Sequence, residues 1–168
     1  MEGLTSIQSK FGPKETMDRL EAEIRARGMT VFARIDHAAG AAEVGLTLAP
    51  TELIIFGNAR GGTPLMQAVQ TVGIDLPLKA LVWEDTAGTT WLSYNEPSWI
   101  AQRHGVGAHP EPIVNKMAAA LSAMSRIAAD PQWQRNGVRP PFEKKLRYLR
   151  FLMFDLLRVV SGRTGGEL

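Results

Sequence analysis

Residues 76–94, "LPLKALVWEDTAGTTWLSY", constrain this chain more than any other stretch. Two apolar-rich runs, LPLKALVWE and TTWLSY, flank the short connection DTAG. Gly88 is the residue there best able to take a positive φ, so the stretch predicts a β-hairpin. A hairpin commits the sheet to antiparallel pairing. Val82 and Trp91 can lie across the hairpin from partners in a buried pair, since aromatic cross-strand pairs are ordinary sheet stabilisers, worth up to about 1 kcal/mol. Glu84 and Asp85 fall at the turn, where acids bond the backbone. As neighbours on a strand they point to opposite faces, which makes them a poor acid/base pair.

The flanking sequence supplies the rest of the sheet. "LTSIQSK" (4–10) alternates like a half-buried strand. Met17, Leu20 and Ile24 recur at helical spacing, and Gly28 follows as a stop. "MTVFARID" (29–36) predicts a strand with Val31, Ala33 and Ile35 on one face. Asp36 can cap the short helix HAAGAAEVG, whose alanines and glycine suit close packing on something. "TELIIFGN" (51–58) is another strand. Thr63 and Pro64 suit the cap and first position of a helix carrying Leu65, Met66, Val69 and Val72 inward. After the hairpin, Asn95 and Pro97 suit a helix start, with Trp99 and Ile100 inward and His104 in the last turn. Residues 110–129 form an alanine-rich helix. Few long helices between strands, followed by a hairpin, argue for an α+β two-layer sandwich rather than a doubly wound sheet.

Composition narrows function mainly by exclusion. The chain has 168 residues, 45% hydrophobic, enough to bury one core. It has no cysteine, which excludes disulfides, thiol catalysis and thiolate metal sites, and fits a cytoplasmic location. Neither a signal peptide nor a spanning helix is expected. Residues 1–130 carry 11 Lys/Arg and 14 Asp/Glu, a net −3, and residues 131–168 carry 8 and 3, a net +5. The basic character therefore belongs to the tail, and no nucleic-acid partner is expected for the main domain.

Four blocks, "FARIDHAAGAAEVG", "ELIIFGNARGGTPLMQA", "GIDLPLKALVWED" and "TTWLSYNEPSWIAQRHG", agree in order and spacing with one family. Over about residues 3–106 the chain resembles the domain of unknown function 302 family of bacteria and archaea. The resemblance implies an α+β sandwich with TATA-binding-protein-like topology, and homodimers. It implies no common activity, and topology alone carries no DNA-binding function.

The candidate site residues follow from these blocks. Asp36 and His37 sit where a strand passes into a helix, and an imidazole beside a carboxylate suits a general base or a metal ligand. Capping alone also accounts for Asp36. His104 suits either a ligand role or a helix end, where the dipole favours it. "FGNARGGTP" offers helix N–H groups and Arg60 to an anion, or is simply a turn. Tyr94 and Asn95 complete the candidate ligand-binding set of Asp36, His37, Arg60, Tyr94, Asn95 and His104. Catalytic candidates are Asp36, His37 and His104. No metal site has the required spacing, and no cofactor is required, with haem or metal through His37 or His104 left open. His109 falls in a proline-bounded linker.

The domain is expected over 1–130, a linker over 131–141, and a basic amphipathic helix over 142–162, about 30 Å long. Three placements of that helix compete: docking on its own or a second subunit, lying on a membrane surface, or holding another protein. The leading functional reading is a homodimeric small-ligand-binding domain with an Asp36/His37/Tyr94/His104 cleft. The alternatives are a scaffold whose C-terminal helix does the binding, and a cofactor-free acid/base enzyme.

Overall fold

The computed structural model describes residues 2–107 and 110–132. The helix expected over 142–162, most of the linker before it and His109 lie outside the described residues. Five strands form one sheet: β1 (Leu4–Gln8), β2 (Thr30–Asp36), β3 (Thr51–Gly57), β4 (Leu78–Glu84) and β5 (Thr90–Asn95). Their order is β1-β5-β4-β3-β2, and every neighbouring pair is antiparallel. The helices are α1 (Pro13–Ala26), α2 (His37–Glu43), α3 (Ala59–Ala68), α4 (Pro97–Arg103) and α5 (Glu111–Ala129), with a 3-10 turn over Gln70–Ile74. This is the expected α+β sandwich.

Register separates the two faces of the sheet, because paired residues share a face. Ile54 pairs with Ala80, Phe56 with Leu78, and Val82 with Leu92. All six are buried, under Met17, Leu20 and Ile24 of α1 and Leu121, Met124 and Ala128 of α5. The 0, 3 and 7 spacing of the α1 residues is the helical stripe that the sheet requires. The opposite face carries Leu53, Ile55, Leu81, Trp83 and Trp91, and none of these is fully buried.

One strand departs from simple alternation. Val31 pairs with Phe56 and Ala33 with Ile55, so Phe32 has no partner and β2 is bulged there. The extra residue shifts every following side chain to the other face. Val31 therefore stays on the helix side, while Ala33 and Ile35 lie on the opposite face, not on the same face as Val31. The same shift turns Arg34 toward α1. Its guanidinium donates to Glu52 at 2.6 and 2.9 Å, to Asp18 at 2.8 Å and to Glu21 at 2.9 Å. It ties an edge strand to the first helix.

Two helix starts differ from expectation. Asn58, not Thr63, caps α3: its Oδ1 accepts from the Arg60 N–H at 2.8 Å. The helix thus begins earlier and contains Pro64, which cannot donate to the Arg60 carbonyl. Glu96, not Asn95, is the capping position of α4, with Pro97 following. Leu65 and Val72 turn inward as expected, whereas Met66 is exposed.

Candidate ligand cavity

β3 ends at Gly57 beside Pro77, which leads into β4. A side chain at Gly57 would touch the Pro77 ring at an ordinary contact distance of 3.4 Å, so the strand end and the Pro77 segment are close neighbours. Between this sheet end, α3 and α5 lies a cavity of about 670 Å3. That volume is in the range of small-molecule sites. Its depth is apolar: Met29, Leu76 and Leu78 from the sheet side, and Ile113, Met117 and Met124 from α5. The first turn of α3 contributes Ala59, Gly61 and Gly62, which between them offer no side chain larger than a methyl group. The unpaired bulge residue Phe32 lies over the strand end and forms part of the rim.

Three cations stand at this cavity: Arg27, Arg60 and Lys116, all exposed. No carboxylate lines it among the described residues. Arg27 is 3.8 Å from Glu23. Among the described residues neither Arg60 nor Lys116 has an ion-pair partner. The arrangement combines an apolar interior, rich in adaptable methionines, with uncompensated positive charge at the mouth.

The residues expected to share one cleft are separated. Asp36 and His37 are exposed at the far end of β2, where Asp36 pairs with Glu52. The Asp36 carboxylate accepts from the Ala39 N–H at 2.9 Å, so capping α2 occupies it. His104 closes α4 at the other end of the sheet, and its Nε2 lies 2.7 Å from the Asp75 carboxylate. Both side chains are nearly buried, at 10% and 15% exposure. Asp75 precedes β4 just beyond the Gly57 end of β3, so roughly 16 Å of strand separates the two histidine positions. Tyr94 is buried beneath the helices. Burial, then the Glu96 charge, pushes its phenol above the ordinary value. Asn95 is exposed and pairs with Leu4. A joint Asp36/His37/Tyr94/His104 cleft does not form, because strand pairing holds its members apart. Of the predicted ligand-binding residues, Arg60 alone lines the cavity. No group of three or more His, Cys, Asp or Glu residues that could hold a metal ion occurs among the described residues.

The hairpin acids have structural work. Asp85 accepts from the Ala87 and Thr89 N–H groups and from Trp91 Nε1, at 2.9, 2.9 and 2.8 Å. These donors hold its carboxyl below the usual range, the indole contributing most. Trp91 faces Trp83, with ring centroids 6.2 Å apart. Trp83 Nε1 donates to Ser93 at 2.9 Å. Val82 faces Leu92, and both are buried.

Fold and cavity together define a two-layer α+β domain with a ligand-sized chamber at one end of its sheet. The chain belongs to the family described as Domain of unknown function DUF302, whose model matches residues 5–124. A solved structure titled uncharacterized conserved protein DUF302, from Bacillus stearothermophilus, has the same fold. It superposes with a TM-score of 0.69 at 20% identity, covering 77% of this chain and all of that one. Two curated relatives are named fluoride-specific ion channels, from Brucella suis biovar 1 and Brucella abortus biovar 1. Each is 46% identical over 127 residues, covering 76% of this chain. The match takes in 50% of the first and 47% of the second, so the chain spans about half the length of these relatives. No helix among the described residues is long and apolar enough to cross a membrane.

Proposed function

We propose that this domain binds a small molecule in the cavity beside Arg60 and works as a homodimer. The observation that carries the binding reading is an apolar space of about 670 Å3 whose mouth holds Arg60 and Lys116, neither with an ion-pair partner among the described residues. Dimerisation is supported by a second surface. Helix α2 buries none of its residues, and the loop after it exposes Val44, Leu46 and Leu48 at 71%, 66% and 46%. With Ile35, at 39% on the edge strand β2, these exposed residues supply the apolar ledge that the dimer reading uses. Contiguous apolar surface of this kind favours a partner, and a second copy presenting the same ledge is the simplest two-fold solution.

Native mass spectrometry of the freshly purified full chain tests both statements. A dimer mass with additional bound mass is the expected result. A bare monomer that takes up nothing from a small-molecule panel would reject the reading. Leu46→Glu should convert the dimer to monomer while leaving the cavity intact.

A second reading has its own support. In the Brucella relatives the matched region accounts for about half of a protein named as an ion channel. An interaction module that assembles beside another domain would use the α2 ledge and the basic tail instead of the cavity. Deleting residues 133–168 without loss of assembly would count against that tail-driven scaffold.

A further inference from the structure

We infer that the cavity takes a single anionic amphiphile: an alkyl or similarly apolar body inside, and a carboxylate or phosphate head at the mouth. This rests on the ligand-binding reading above and specifies its chemistry. The interior offers thioether and alkyl groups from Met29, Met117, Met124, Leu76 and Leu78, and so rewards burial of an apolar body. At the mouth, α3 contributes Arg60 and α5 contributes Lys116. Neither is neutralised among the described residues, and no lining residue there is acidic. A cationic ligand would meet repulsion with nothing to offset it, and a neutral one would leave both charges unused. An anionic head satisfies both, with Arg60 able to grip two oxygens at once.

The same charge argument weighs against the chain's own tail. Residues 131–168 carry 8 Lys/Arg against 3 Asp/Glu, so a basic segment would have to enter a basic mouth. A free amphiphile is the complementary occupant.

The test uses the full chain with methionine methyls labelled, titrated with monomeric dodecanoate, dodecanol and dodecyltrimethylammonium. Met29, Met66, Met117 and Met124 line the cavity, whereas Met17 lies in the core and serves as an internal reference. Dodecanoate should shift the cavity methyls and leave Met17 unmoved. It should bind about tenfold or more tightly than dodecanol, a difference of about 1.4 kcal/mol. Arg60→Ala and Lys116→Ala, both at exposed positions, should weaken dodecanoate binding far more than dodecanol binding and so erase that preference. Equal binding of dodecanoate and dodecanol would overturn the anionic assignment while leaving a ligand cavity in place. Binding of none of the three would overturn the cavity reading itself. Sedimentation with anionic phospholipid vesicles, without binding of monomeric dodecanoate, would also overturn it and place the cations on a lipid surface.

Discussion

Replacing Arg34 with alanine should destabilise the domain by about 2 kcal/mol at neutral pH. Arg34 reaches three carboxylates, Asp18, Glu21 and Glu52, through four hydrogen bonds. Its side chain is 29% exposed, and its partners are 44%, 21% and 23% exposed. Fully buried charged hydrogen bonds would be worth about 1.5–3 kcal/mol each. Solvent screening at this exposure reduces each pair to roughly 0.5–1 kcal/mol. Three pairs then sum to about 2 kcal/mol, and removing the cation also leaves three acids facing one another. For a chain of this size the melting point should fall by about 4–8 °C. Arg34→Lys keeps the charge without the planar fork and should lose about half as much.

The effect should depend on pH. Asp18 sits below its ordinary value of 3.8, held first by Lys14 and then by Arg34. Glu21 sits below 4.5, held first by Arg25 and then by Arg34. Lowered carboxylates bind protons less well in the folded state. Their stabilisation is complete above those ordinary values and is lost as pH falls below them. Urea unfolding followed by tryptophan fluorescence should show the full gap between wild type and variant near pH 7, and less than half of it near pH 2.5. A gap under about 0.5 kcal/mol at pH 7, or one unchanged at pH 2.5, would refute the assignment of Arg34 as a charge tie between sheet and helix.

Other substitutions probe the cavity and the core. Ala120→Phe, on the cavity wall, should abolish amphiphile binding in the methyl titration while leaving the melting point within about 2 °C. Ser125 is fully buried and its hydroxyl has no hydrogen-bond partner among the described residues. Ser125→Ala should therefore be neutral or stabilising by up to about 1 kcal/mol in urea unfolding. Gly3 has φ +72°, and a side chain there would sit 2.2 Å from the Trp99 ring. Gly3→Ala should cost about 1–3 kcal/mol and shift Trp99 fluorescence.

Much of the architecture was legible along the chain because its causes are local. Hairpin turn chemistry, the Met17/Leu20/Ile24 stripe and the stop at Gly28 each depend on residues a few positions apart. They suffice for the element order, and with it the α+β class. The acids of the opening hairpin were also readable as turn residues, and Asp85 makes the backbone bonds that reading requires. The shared family blocks carried the topology, since strand order is a long-range property that local pattern does not encode.

Tertiary structure alone decided the face each side chain takes and the residues that meet. The bulge at Phe32 reverses the inward set of β2, and it is visible only in the pairing with β3. The Asp36 and His104 positions looked like partners because both are polar residues at element ends. Antiparallel pairing put them at opposite ends of the sheet. The cavity draws on the start of β2, the end of β3 with α3, the segment before β4 and α5, four places spread over nearly a hundred residues. Nothing near Lys116 in an alanine-rich helix marks it as the neighbour of Arg60. A space between elements has no period and no motif, so only the packing of distant segments brings it into being.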